Sequence, residues 1–238
     1  MAVTDTMTGL FMNGAILAAL YHRQRTGHGQ KIDTSLFETQ VATLANIGSN
    51  YLIAGKTGRR WGSAHESIVP YQAFRTSNGH LVVAVTNDGQ FRRLCQLIGQ
   101  PNLADDPRYR NNRKRVENRV ALVAALQDIF KTKTTNEWLE IVPWSEVCIG
   151  PINSIDQVFA DPQVQNRRMV EEIDHPTAGH IKLAGFPVKY SEAPPTLRLP
   201  PPLLGEHTFS VLQQELGMSE AALKELESKD VIKGMKRT

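Results

Sequence analysis

The chain has 238 residues, of which 41% are hydrophobic and 21% charged, with a formal net charge of +3. That length buries a sizeable core as one large or two small domains, and so small a charge excess argues against nucleic acid as a partner. Cys95 and Cys148, far apart and outside any CxxC pair, exclude a disulfide scaffold and point to a reducing compartment.

In chain order, the first predicted element is a helix over residues 8–25, where Leu10, Phe11, Ile16, Leu17 and Leu20 recur at helical spacing. Gly9, Gly14, Ala15, Ala18 and Ala19 lie among them and would let it approach a neighbour closely. Thr26-Gly27-His28-Gly29 closes the helix with glycine at a left-handed C-cap, and Lys31-Ile32-Asp33 is a short extended piece. Ser35 and Glu38 form a capping box that opens a second helix running to about residue 54. The stretch RRWGSAHESIVPYQAF has no sustained period and is expected as an ordered loop leading into a strand. Strands at 71–76 and 80–86 flank Ser77-Asn78-Gly79, a hairpin turn.

Helices follow at 89–98, 115–131 and 135–141, the last opened by a second capping box, Thr134 with Glu137. Beyond the Gly150-Pro151-Ile152-Asn153 turn come short helical pieces at 154–159 and 162–167. Strand-like alternation at 169–174 and 180–190 surrounds a turn at 176–179. Residues 194–202 are proline-rich and must run extended as a strap. Helices at 204–216 and 219–227 finish the chain before a frayed basic tail at 233–238. The division expected is 1–55, 56–140 and 141–238. The centre forms a small α+β domain, while the ends carry apolar helices with too few strands for the sheet those helices should cover.

Familiar chemistries are absent: there is no GxxxxGK[ST] loop, no GxGxxG turn after a strand and no GxSxG elbow. The seven histidines show no HExxH or other close ligand spacing, so no metal site is expected. His175, His180 and His207 sit near turns or termini, as surface or capping residues. The basic run at 108–115 marks a solvated helix start, where it could still meet an anion such as a nucleotide phosphate. No stretch reaches the roughly 18 apolar residues of a membrane span, and the start lacks the basic and apolar regions of a secretory signal. A soluble intracellular protein is therefore expected.

Two places remain. Asp5 has a structural explanation as a helix N-cap. It has a functional one as an open carboxylate able to attack an activated carbonyl such as a thioester, whose leaving thiol has a pKa of roughly 8.5. The loop Gly62-Ser63-Ala64-His65-Glu66-Ser67 is either a plain connector or a cover whose amides stabilise an oxyanion, with His65 adding a polar contact.

Taken in order, VTDTMTGL with the GAILAAL helix, RTGHGQKIDTSLFETQ, RWGSAHESIVPYQAF, NDGQFRRLCQLIG, NLADDPRYRNNRKRVENR, GPINSIDQVFADPQV, DHPTAGHIKLAGFPVKYS and PPPLLGEHT resemble the class III (CaiB/BaiF-type) CoA-transferase family. The likeness covers all but the last few residues, and RRWGSAHxSIVPYQAF is most similar to the succinyl-CoA:glutarate type. The resemblance implies an α/β fold that is partial here: helices of an incomplete Rossmann-like large domain, a small α+β domain and a C-terminal strap. It implies Asp5 as the catalytic aspartate, forming an anhydride with the acyl group and then an aspartyl-CoA thioester. It also implies Gly62, Ser63, Ala64 and His65 at a substrate-covering loop, although that loop is glycine-rich in relatives and glycine-poor here. Leu36 falls at an apolar CoA contact.

Acyl-CoA and a dicarboxylic acid would be the substrates, with no further cofactor and no metal. Family members form interlocked homodimers and carry a long half before the aspartate, so this sequence matches a C-terminal portion. By the same likeness the location is mitochondrial in a eukaryote and cytoplasmic in a bacterium. The alternatives are a catalytically silent piece of such an enzyme and an α-methylacyl-CoA racemase. Racemases follow their aspartate with a glycine run that Thr6-Met7-Thr8-Gly9 lacks. Trp144-Ser145-Glu146-Val147-Cys148 departs from the family pattern.

Overall fold

The computed structural model describes residues 1–235 and divides into two compact units, Met1–Gly150 and Pro151–Thr238. The first unit opens with α1 (Val3–Thr26), which ends at Gly27 in the left-handed conformation, φ 76°. A Cβ-bearing residue there would be strained, which is why glycine closes the helix. α1 begins five residues earlier than the apolar period indicates. Thr6 and Thr8 return their hydroxyls to the carbonyls of Ala2 and Thr4 (3.0 and 2.8 Å), so β-branched residues of modest helix propensity are absorbed into the first turns. By length and composition α1 is apolar enough to cross a membrane, which corrects the expectation that no stretch is. A helix bedded on a sheet inside a larger α/β domain meets the same test. Gly9 and Gly14 face open space, so the close approach their size would permit is not used within the described residues.

The second predicted helix is two: α2 (Leu36–Ala42) and α3 (Ala45–Ala54). Ser35 caps α2 by accepting from the Glu38 N–H at 3.1 Å, and its hydroxyl donates to Glu38 Oε2 at 2.8 Å. The break lies at Ala45, whose φ of 47° is unusual for a residue with a Cβ and costs on the order of 1–2 kcal/mol. Residues 31–33 form no strand, since nothing among the described residues pairs with them.

The packed part of this unit spans Val69 to Ile149. β1 (Tyr71–Arg75) and β2 (His80–Ala84) pair antiparallel in the register Tyr71↔Ala84 to Arg75↔His80, as the Ser77-Asn78-Gly79 turn requires. Period-two alternation sends Leu81 and Val83 inward, with Phe74 opposite. α4 (Asp88–Leu97) presents Phe91, Leu94 and Cys95, and the short α5 (Pro101–Asp105) follows with Ala104 buried. The expected helix at 115–131 divides at Asn118 into α6 (Asn112–Glu117) and α7 (Arg119–Phe130). Leu122, Leu126 and Phe130 recur every four residues on α7 and are fully buried. α8 (Thr135–Ile141) carries the predicted Thr134/Glu137 capping box, and Trp138 donates its Nε1–H to the Phe130 carbonyl at 2.8 Å. Phe74, Phe130 and Trp138 form a tilted-then-edge aromatic stack with centroids 5.1 and 5.2 Å apart.

β3 (Cys148–Pro151) completes a sheet of order β1-β2-β3 where the sequence shows only a turn. The segment at 144–148, which departs from the family pattern, leads into this strand. Glu146 forms an ion pair with Arg93 of α4, Val147 enters the core, and the segment delivers β3 to the sheet, with Trp144 left exposed.

In the second unit, α9 (Ile155–Ala160) and α10 (Pro162–Asn166) precede an antiparallel hairpin of β4 (Val170–His175) and β5 (Gly179–Ala184). The predicted second strand stops at 184 rather than 190. His175 Nδ1 accepts from the Ala178 N–H at 3.1 Å and closes the hairpin turn. Residues 194–202 adopt no regular element, as expected of a strap. α11 (Thr208–Leu216) and α12 (Glu220–Ser228) follow. Of the predicted frayed tail, residues 236–238 lie outside the described residues. Residues 233–235 are held, with the Met235 N–H on the Gly205 carbonyl at 3.0 Å.

Candidate functional site

Asp5 is not an N-cap. Ala2 occupies that position without a side-chain cap, and Asp5 is the third residue of α1, exposed, where a carboxylate complements the positive end of the helix. Thr4, one residue before it, hydrogen-bonds Gln40 of α2 and so ties the start of α1 to its neighbour. Leu36 is the first residue of α2 and is also exposed.

The loop between α3 and β1 is more elaborately held. Gly55, left-handed at φ 65°, ends α3. Lys56 then pairs with Glu66 at 3.0 Å, and hydrogen bonding from Lys56 holds the Glu66 carboxyl below its ordinary range. Ser63 Oγ accepts from the Ala73 N–H at 3.1 Å, and the His65 N–H donates to the Tyr71 carbonyl at 2.9 Å, so both residues fasten the loop to β1. The His65 ring stacks on Tyr71 with centroids 5.4 Å apart. Its Nδ1 accepts from the Ser67 N–H at 3.1 Å, which leaves Nε2 to carry the proton of the neutral ring.

From the other side, α6 and α7 grip the same loop. Asn112 donates to the Ser67 carbonyl (2.8 Å) and accepts from the Val69 N–H (3.1 Å). Arg115 Nε donates to the Val69 carbonyl at 2.7 Å, while Nη1 reaches the Tyr109 carbonyl at 3.2 Å and Asp88 at 2.9 Å. Its guanidinium carbon lies 4.5 Å from the centre of the Phe91 ring. Arg119 Nη1 donates to the His65 carbonyl at 2.9 Å and Nη2 to the Glu66 carbonyl. Burial, and then the nearby charge of Arg59, lower the Arg119 pKa; burial does the same for Arg115. Both Arg59 and Arg119 lie over Trp61, at 3.8 and 4.3 Å from its ring centre.

A cavity of about 440 Å³ opens between α3 and this loop, lined by Leu44, Ile47 and Asn50 on one side and by Trp61, His65 and Glu66 on the other. Gly62 and Ala64 also line it; Ser63 does not. Asp5 and Leu36 lie outside its wall. Apolar side chains and unpaired loop donors together suit a short acyl chain ending in a polar carbonyl. Among the described residues no cluster of histidine, cysteine or acidic side chains could hold a metal ion.

Asn112, Arg115 and Arg119 do not stand out as site residues in the sequence: the first two fall in the basic run that reads as a solvated helix start, and Arg119 in the helix after it. Arg115 is in fact 0% exposed. A signal is nonetheless present: Arg115 and Arg119 extend the apolar stripe of Leu122 and Leu126 toward the N-terminus, where a solvated cation would not stand.

A model of CoA-transferase family III matches residues 1–208. The chain is 44% identical over 231 residues to the succinyl-CoA:glutarate CoA-transferase of Homo sapiens, covering 97% of this chain and 53% of that protein. It is 42% identical over 217 residues to the succinate–glutarate CoA-transferase of Agrobacterium fabrum, covering 90% and 53%. The crystal structure of a CAIB/BAIF family protein from Brucella suis superposes with a TM-score of 0.73 at 40% identity, over 89% of this chain and 55% of that one. The chain spans about half the length of the curated relatives it matches.

Proposed function

The chain belongs to CoA-transferase family III, and we propose that it serves the transfer of coenzyme A between a succinyl-CoA-like thioester and a glutarate-like dicarboxylic acid, with Asp5 as nucleophile. The observation that carries the proposal is Asp5 itself, an exposed carboxylate in the first turn of α1 and inside the matched span. The relatives named above supply the substrate class.

In the proposed sequence an Asp5 carboxylate oxygen attacks the thioester carbonyl carbon. The C–S bond breaks, CoA leaves as thiolate, and a mixed anhydride forms. The thiolate returns to the Asp5 acyl carbon and releases the donor acid, leaving an aspartyl-CoA thioester. The acceptor carboxylate repeats the attack, and the thiolate then takes the acceptor acyl group and frees Asp5. One thioester is consumed and one is made, so no energy source and no further cofactor enter. The loop at 62–67 covers the acyl group, Leu36 meets CoA, and two copies of the full enzyme pair as a homodimer.

A second reading is favoured by the exposed apolar residues of α1 and α3. The chain is catalytically silent until a complementary polypeptide covers those faces. Incubation with succinyl-CoA followed by hydroxylamine distinguishes the two. A hydroxamate on Asp5, found by peptide mass, supports independent chemistry. Its absence, with no thermal shift on adding CoA, supports the silent piece. Asp5→Asn is expected to abolish the adduct while costing no more than about 1 kcal/mol of stability, since only a helix-end charge is lost.

A further inference from the structure

We propose that Arg119 is the positioning residue of the covering loop, and that it presents the Glu66 peptide N–H, with His65 Nε2–H, as a pair of preset hydrogen-bond donors to an acyl oxygen. Three observations lead there. Arg119 holds two successive carbonyls, those of His65 and Glu66, with the two arms of one guanidinium. That fork fixes the orientation of both peptide planes rather than of one atom.

The peptide between His65 and Glu66 is trans. Its N–H therefore points opposite to the carbonyl that Arg119 grips, away from α7. Among the described residues the Glu66 N–H has no acceptor, whereas its neighbours are used: the His65 N–H is on Tyr71 and the Ser67 N–H is on His65 Nδ1. That last bond also determines where the imidazole proton sits. The Ser67 N–H, in the plane whose carbonyl Arg119 holds, occupies Nδ1, so Nε2 is left as the donor. One arginine thus sets both donors, one through each peptide it holds. Both residues line the 440 Å³ cavity. Two donors fixed in advance stabilise a developing oxyanion without reorganisation when charge appears.

The chemistry of this inference rests on the transferase proposal; its geometry does not. The test compares Arg119→Gln and the milder Arg119→Lys with the parent chain in three measurements. In CoA transfer from succinyl-CoA to glutarate, loss of the fork is expected to lower kcat roughly tenfold to a hundredfold, with KM for the thioester changed much less. Guanidinium added to Arg119→Ala is expected to restore part of kcat. By 15N NMR and amide exchange, the parent chain should show His65 protonated at Nε2 and a protected Ser67 amide. Both variants should lose that protection while the amides of β1 and β2 keep theirs.

If the parent chain itself transfers no CoA, the silent-piece reading is favoured over independent activity, and the NMR arm alone decides the positioning role. A folded Arg119→Gln chain with the parent's His65 tautomer and Ser67 protection overturns the inference. So does a loss confined to KM without rescue by guanidinium. If Arg119→Gln does not fold, the same outcomes measured on Arg119→Lys decide the matter.

Discussion

α7 and α1 belong to the same unit and use the same apolar vocabulary, yet they end in opposite environments. On α7, Leu122, Leu126 and Phe130 are wholly buried; on α1, Leu10 stays 66% exposed, Leu17 59%, and no residue is buried. Capping and periodicity do not separate them, since α1 has the better-defined glycine C-cap. A surface to lie on does. α7 packs on β1 of the three-stranded sheet, whereas α1 packs on α2, a helix of seven residues. Helical sequence is therefore a local property and burial a relational one. The three helices of the first 54 residues leave most of their large apolar side chains exposed, with no strand in that stretch to lie on.

That contrast can be attacked directly. Its largest expected effect is on stability: Phe74→Ala, fully buried on β1 against the core, should cost about 3–5 kcal/mol. Leu17→Ala on α1 should stay within about 0.5 kcal/mol. Both are read from urea unfolding, and comparable losses would mean that α1 is buried in solution. A subtler effect concerns Cys95, whose thiol burial pushes up to about 12. A maleimide at pH 8 should label the partly exposed Cys148 in the native chain and reach Cys95 roughly a hundredfold more slowly or only on unfolding. Matched rates would mean that the centre opens readily.

The smallest effect is expected in the second unit, where Leu223 is the buried apolar side chain among the described residues. His180 lies 3.0 Å from Asp174 and 3.2 Å from Glu172, and these hydrogen bonds raise its pKa. Because the folded value lies above the unfolded one, the stabilisation is complete below about pH 6.5. It fades as pH rises through the folded value. An NMR titration of His180 gives that value directly, and His180→Gln should remove the pH dependence. A His180 midpoint at or below the ordinary imidazole value would discard the pairing.

What the sequence made legible follows the same division. Gly27, Ser35, the Ser77-Asn78-Gly79 turn and the Thr134/Glu137 box were readable because each is settled within four residues. The early start of α1, the break at Ala45 and the strand at Cys148–Pro151 were not. Threonines that re-bond their own helix hide the first of these. No local signal marks a positive φ at alanine, and β3 is a strand because β2 offers an edge. At the candidate site, Asp5 and the loop at 62–67 could be named from the sequence. The grip of Asn112 and Arg119 could not, because its acceptors are carbonyls about 45–54 positions away, and a carbonyl carries no residue identity.

The order β1-β2-β3 has a consequence for synthesis on the ribosome. β2 leaves the exit tunnel with one edge paired to β1 and the other bare, and the strand that covers the bare edge is encoded beyond five helices. At ordinary elongation rates the wait is on the order of 3–13 seconds. During that interval an apolar strand offers free amides and carbonyls to any neighbouring nascent chain. His80, exposed at the start of β2, places a polar side chain at the hairpin end of that strand while it waits.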